Sequence, residues 1–310
     1  VLDIHPQLQS LLEQLGSAGY PDQTQVSPTE ARKITDDRAR RFYGPSDDVG
    51  SIADIMIPSS PQDLSARVYT PSGKGPFPIL VYFHGGGWVL GSLDSADRGA
   101  RGVTCSAGCI TVSVDYRLAP ENPFPAAAND CVSALNWIVR NAADFDGDPS
   151  RVAVGGDSAG GNLAAAVAIE AREAGPDLLF QLLIYPVVDS DLTRESYKKF
   201  ANAPMLPGHR MKYFWDQYVP NVGDRSDWRC SPLRASDHSG LPPALIIAAG
   251  LDPLLDEGKE YAKKLLKAGV EVNYEVFPRM THAFFQAPGL LDDARVASNK
   301  AGFHLRKAFN

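Results

Sequence analysis

Cysteine is scarce in this sequence and poorly placed for metal chemistry. Only Cys105, Cys109, Cys131 and Cys230 occur, none in a CxxC pair and none with a histidine at ligand spacing. A zinc site and a disulfide scaffold are therefore excluded as organising features. Buried free thiols are the expectation, with a Cys105–Cys109 bridge left open. Long apolar runs are also missing, and no stretch approaches the roughly 18 residues of a membrane-spanning helix. The opening residues, VLDIHPQLQSLLEQLG, carry acids but no basic stretch, so no secretory signal is expected, and the lack of an initiating Met reads as trimming. Positive charge is not in excess either. Lys plus Arg is 30 against 37 for Asp plus Glu, a net charge of −7, which leaves no electrostatic footprint for nucleic acid or an anionic membrane. What remains is an ordinary globular composition, 44% hydrophobic and 22% charged over 310 residues. A chain of that length buries about 75% of its unfolded surface and needs no staple. The default location is cytoplasmic.

Ile4, Leu8, Leu11, Leu12 and Leu15 repeat at helical spacing. Ser27-Pro28-Thr29-Glu30 then opens a second, polar helix, with Ser27 as N-cap and proline at the first helical position. From about residue 50 short β-rich runs take over: 51–57, 64–70, 78–83, 109–115, 151–156, 180–186, 244–250 and 270–277. Several are almost wholly apolar, as strands covered on both faces are. Helical patterns alternate with them: residues 125–142, with Ala127, Cys131, Leu135 and Ile138 in one stripe, a helix from Asp252-Pro253 to Leu265 stopped by Gly269, and residues 290–308. This alternation predicts an α/β protein with a mostly parallel, doubly covered sheet. The interval Val187–Pro243 breaks the rhythm. It holds Met205, Leu206, Met211, Tyr213, Phe214, Trp215, Tyr218 and Trp228, and is too long and aromatic for a plain connection. The expected organisation is a cap made from 1–48 and 187–243 over a sheet-forming core made from 49–186 and 244–310.

Gly156-Asp157-Ser158-Ala159-Gly160 follows an apolar strand and precedes the helix-forming run LAAAVAIEA. G-x-S-x-G by itself arises easily in a chain with 27 glycines. Between strand and helix it describes a nucleophile elbow, where a turn too tight for neighbouring side chains lifts a serine hydroxyl above the sheet edge. The following helix N-terminus offers N–H groups to developing negative charge. A capping turn without chemistry is the alternative. His84-Gly85-Gly86-Gly87-Trp88 also follows an apolar strand. Consecutive glycines let backbone N–H groups turn inward and approach a ligand closely. Gly86 and Gly87, with Ala159 after the serine, are the expected oxyanion donors, and Gly85 shapes the turn. His84 is expected to hold the loop rather than act as a base.

A serine hydroxyl needs an imidazole, and the imidazole needs an orienting carboxylate. Among His5, His84, His209, His238, His282 and His304, His282 follows the last strand. Asp252 follows the strand before it, where it also suits an N-cap, and Asp256 one turn later is the alternative acid. The order Ser158, Asp252, His282 is the one an α/β-hydrolase uses. In DYRLAPE, Arg117 and Glu121 stand four apart, a spacing that allows them to pair, and the segment is expected to form a buried polar brace beneath the site and to take no part in catalysis.

HGGGW, DYRLAPENPFPA at 115–126, GDSAGGN at 156–162, LDPLLDEG at 251–258 and the His282 segment together resemble the hormone-sensitive lipase family of microbial carboxylesterases. The resemblance runs from about Ser51 to the C-terminus. It implies the α/β-hydrolase fold, with an eight-stranded, mainly parallel sheet and a helical cap. It also implies no cofactor and hydrolysis of short- to medium-chain acyl esters. Ser158 would be nucleophile, His282 base and Asp252 orienter. The partner is a small-molecule ester, and the family's frequent dimers imply a homodimer. Met211, Phe214 and Trp215 are expected to line the acyl pocket. An amidase or peptidase with the same triad, or a non-catalytic receptor of the kind plant gibberellin receptors represent, are the alternatives. Those receptors lack the base histidine, which is present here.

Overall fold

The computed structural model describes residues 2–310. Two helices come first, α1 (Pro6–Ser17) and α2 (Pro28–Phe42). Ser27 Oγ accepts the Glu30 N–H at the start of α2, and Pro28 occupies the first turn. Eight strands follow: β1 (Ser51–Ile57), β2 (Leu64–Thr70), β3 (Phe77–Phe83), β4 (Ile110–Asp115), β5 (Gly147–Asp157), β6 (Phe180–Ile184), β7 (Ala244–Leu251) and β8 (Val272–Thr281). They form one sheet in the order β1-β2-β4-β3-β5-β6-β7-β8. β2 runs against both of its neighbours, β1 and β4; every pairing from β4 through β8 is parallel. This is the α/β-hydrolase fold.

Burial on both faces explains the nearly unbroken apolar strands. In β3, Ile79, Val81 and Phe83 enter one hydrophobic cluster, while Leu80 and Tyr82 enter the other. In β7, Ala244 and Ile246 face one way and Leu245 and Ile247 the other. The two-residue period of a strand thus feeds two separate cores. Helices α4 (Ala126–Arg140), α5 (Ala159–Ala174) and α8 (Leu255–Lys267) supply the first; α3 (Asp97–Ala107) and α9 (Asp292–Phe309) supply the second. The Ala127, Cys131, Leu135 and Ile138 stripe of α4 is fully buried.

The interval after β6 carries two helices, α6 (Glu195–Lys199) and α7 (Gly208–Tyr218), and short 3₁₀ turns. From α7, Met211, Phe214, Trp215 and Tyr218 enter the first core cluster. The leucines of α1 enter the second, Leu8, Leu11 and Leu15 being buried.

Two expectations need correction. All four thiols are free, but Cys105 is exposed rather than buried. The Arg117–Glu121 pair does not form. Arg117 instead makes a bidentate pair with Asp130 of α4 at 2.6 Å, and Glu121 pairs with Arg32 of α2, also at 2.6 Å. Four-residue spacing brings side chains together only on a helix, and residues 117–121 are not helical.

Candidate active site

Ser158 sits between β5 and α5 at φ 58° and ψ −118°. A non-glycine residue seldom adopts that region, so the surroundings must hold it there. Its N–H donates to the Ile184 carbonyl at 2.8 Å. The flanking glycines leave no room for side chains, since a Cβ at Gly160 or Gly156 would land on the Phe83 carbonyl oxygen. From α5, Asn162 donates both amide protons, to the carbonyls of Val187 and Cys230, at 2.9 and 2.8 Å. The turn is thereby tied to the chain after β6.

The parallel sheet brings the ends of β5, β7 and β8 to one edge. His282, just past β8, has Nε2 2.8 Å from Ser158 Oγ and Nδ1 2.6 Å from Asp252 Oδ2. All three residues are buried. A proton on Nδ1 is donated to the carboxylate, which leaves Nε2 as acceptor for the serine hydroxyl. Asp252 uses its other oxygen, Oδ1, to accept the Leu254 N–H at 2.9 Å. That bond closes the turn before α8 and does not cap it, since the helix starts at Leu255 with Leu254 at the N-cap and no side-chain cap bond, so the capping role weighed against the catalytic one is not filled. Asp256 accepts the Ser196 N–H at 2.8 Å and does not face the imidazole. The Tyr185 ring packs 4.6 Å from that of His282.

The glycine loop lies beside this relay. Gly85 donates its N–H to Asp157 Oδ1 at 3.0 Å, and Asp157 also accepts the Tyr82 hydroxyl at 2.8 Å. Gly86 and Gly87 have φ of 124° and 60° and line the cavity with Ser158 and His282. Among the described residues no acceptor takes either N–H. Ala159 opens α5, so its N–H is one of the four that lack an intrahelical acceptor. His84 stacks on Tyr116 at 4.4 Å, its Nδ1 lies 2.8 Å from the Gly85 carbonyl, and Tyr116 donates its hydroxyl to the His84 carbonyl at 2.7 Å. The other histidines lie elsewhere. His5 caps α1, His209 faces Asp22, His238 meets the Pro232 carbonyl and His304 lies on α9.

The cavity over Ser158 encloses about 800 Å³ including its open mouth. Of the three residues expected to line the acyl pocket, Phe214 does so. Met211 and Trp215 do not; both are fully buried in the core behind it, with Trp215 packed 4.9 Å from Trp88. The helical period explains the split, because only one face of α7 can look into the cavity. Sequence reasoning missed Gln23, Arg38, Tyr43, Leu206 and Arg210, which also line the cavity. None belongs to a motif, and their convergence depends on contacts across more than 150 residues.

An eight-stranded sheet with a strained serine, an imidazole and a carboxylate at one edge defines the chain as an α/β hydrolase. The family described as alpha/beta hydrolase fold matches residues 80–286. Carboxylesterase NlhH of Mycobacterium tuberculosis is 44% identical over 254 residues, covering 80% of this chain and 79% of that protein. An ethyl acetate hydrolase of Pseudomonas putida is 37% identical over 273 residues, 86% of this chain and 85% of its own. Among solved structures, a thermostable esterase from Pseudomonas putida superposes with a TM-score of 0.94 at 36% identity, covering 99% of this chain and 98% of that one. The chain belongs to the hormone-sensitive-lipase-like family of α/β hydrolases.

Proposed function

We propose that this protein is a serine carboxylesterase acting on short- to medium-chain acyl esters through an acyl-enzyme. The contiguous relay from Asp252 through His282 to Ser158, opening on a cavity lined by Gly86, Gly87 and Phe214, carries this reading. His282 Nε2 takes the Ser158 proton as Oγ attacks the ester carbonyl. Negative charge then develops on the carbonyl oxygen, and the N–H groups of Gly86, Gly87 and Ala159 receive it. Each such donor contributes about 2.7–4 kcal/mol to the transition state. The imidazolium next protonates the leaving alcohol, with Asp252 stabilising its charge. Water, deprotonated by the same imidazole, releases the acid. Residues 1–48 and 187–243 act together as the cap, since Gln23, Arg38 and Tyr43 from the first and Leu206, Arg210 and Phe214 from the second close over Ser158.

Ser158→Ala is expected to lower hydrolysis of a para-nitrophenyl butyrate by roughly 10⁶-fold; an unchanged rate overturns the proposal. A chain-length series should fall off beyond medium acyl chains. A para-nitroanilide measured in parallel separates an esterase from an amidase.

A further inference from the structure

Two arginines stand in the wall of the cavity over Ser158, and neither has a full set of partners. Arg38 comes from α2 and Arg210 from α7, so both segments read as cap contribute one. The Nε of each is buried and has no acceptor among the described residues. Arg210 Nη1 donates to the Met205 carbonyl at 2.8 Å; Arg38 Nη1 has only a long contact of 3.4 Å to Gln23 Oε1, and its guanidinium lies over the Tyr20 ring at 5.0 Å.

The anions nearby are already engaged. Asp22 Oδ1 accepts both the N–H and the hydroxyl of Thr24, at 2.9 and 3.0 Å, and its Oδ2 lies 3.2 Å from His209. Arg210 reaches Asp22 only at 3.6 Å. Asp157, the carboxylate in the lining itself, serves Tyr82 and Gly85. Two guanidiniums thus share one distant carboxylate. Burial holds both below the ordinary arginine value; the charge of Arg38 lowers Arg210 further, while Asp22 and nearby tyrosines oppose the shift in each. Arginine nevertheless keeps its charge. A half-buried cation with a free donor is unfavourable unless something completes it. A planar carboxylate accepts from guanidinium N–H groups with matching geometry.

We infer that the cap-side wall of the cavity is a carboxylate subsite, and that the preferred ester carries a free carboxylate on the part lying against α2 and α7. This rests on the esterase reading above and names the substrate class for the same site. The carboxylate can belong to the acyl portion, as in a monoester of a dicarboxylic acid, or to the alcohol portion, as in an acylated hydroxy acid.

Two matched pairs separate these sources. On the acyl side, mono-para-nitrophenyl glutarate is compared with para-nitrophenyl pentanoate. On the alcohol side, an acetoxybutanoate is compared with its methyl ester. In at least one pair the ratio of kcat/KM for the charged over the neutral ester should fall about tenfold in Arg38→Gln and in Arg210→Gln, mainly through KM, the loss of one charge-assisted hydrogen bond. Arg40→Gln, on the exposed side of α2, should leave the ratio unchanged. Ratios that stay constant in both pairs overturn the subsite while leaving the esterase reading intact. Inhibition of the unmodified enzyme offers a test that needs no variant to fold: glutarate should compete with a neutral ester, and uncharged glutaramide should compete far less. Equal inhibition by the two overturns the inference. If no ester is hydrolysed, the esterase reading fails, and calorimetric titration of the intact chain with glutarate then decides the subsite alone, heat of binding supporting it and none overturning it.

Discussion

At the scale of single residues, Glu257 shows how burial stores a pH dependence next to the relay. It lies on α8, five residues after Asp252, and is fully buried. Its Oε1 accepts the Val188 N–H at 2.8 Å, and Tyr197 donates to Oε2 at 3.1 Å. Burial pushes its carboxyl up to about 8; the Val188 N–H, the charge of Arg194 and the Tyr197 hydroxyl pull the other way, and Asp189 adds to the rise. An acid raised in this way holds its proton in the folded state after the unfolded chain has released it. Stability is therefore full below the ordinary glutamate value near 4.5 and declines as pH climbs towards 8, with a slope of at most one proton, about 1.4 kcal/mol per pH unit. Urea midpoints measured at about pH 5 and pH 8 should converge in Glu257→Gln, which has no proton to lose. An equally steep decline in that variant would assign the effect to another group. Such a residue was invisible in the sequence, where LDPLLDEG reads as a motif plus a helix start. Ser158, Asp252 and His282 were legible because strand ends and chain order restrict their places. Arg38 and Arg210 were not, because nothing local distinguishes a cavity arginine from a surface one.

Elements are held to one another by a few buried polar ties. One of them, an ion pair, joins the loop after β4 to α4. Arg117 donates through Nε and Nη2 to Asp130, whose Oδ2 also accepts the Arg117 N–H at 3.0 Å. Both side chains are mostly buried, at 12% and 2% exposure. Removing one partner leaves the other charged and unpaired, so Asp130→Ala should lower stability by about 3–5 kcal/mol. The double variant Arg117→Met, Asp130→Met should lose much less than the sum of the single losses in the same denaturation experiment. Strict additivity would mean that the two charges do not interact. The pairing was misread from sequence because the nearer acid, Glu121, is not on a helix with Arg117. Strand limits show a related effect. The sequence suggests that the last strand ends at Phe277, before Pro278, yet β8 runs to Thr281. Proline is tolerated there because β8 is the edge strand and pairs only with β7. Position in the sheet, which no local pattern encodes, decides whether a proline stops a strand.

Across the whole molecule, α7 and the sheet share one apolar interior. Met211, Trp215 and Tyr218 of α7 belong to the same cluster as Val112 of β4, Val154 of β5 and Ile246 of β7. Trp88, at the end of the glycine loop, stacks on Tyr218 at 4.3 Å and an 11° interplanar angle and also packs against Trp215. An aromatic wedge from α7 therefore rests on the ring of Trp88, the residue after the glycines proposed to hold the oxyanion. Pulling α7 away would expose these rings, at about 25 cal/mol per Å² of apolar surface, and would release the loop at the same time. Rigid separation of α7 from the sheet is thus unfavourable. The consequence is measurable. The chain has four tryptophans, and with Trp137 and Trp228 replaced by phenylalanine the remaining fluorescence reports the Trp88–Trp215 contact beside α7, whereas far-ultraviolet circular dichroism reports the sheet and its helices. If the interior is shared, the two signals should fall in one coincident transition in urea, and esterase activity should be lost with them. A fluorescence change at lower urea than the loss of circular dichroism would show that α7 leaves a sheet that stays folded, and the cap would then be a separable lid.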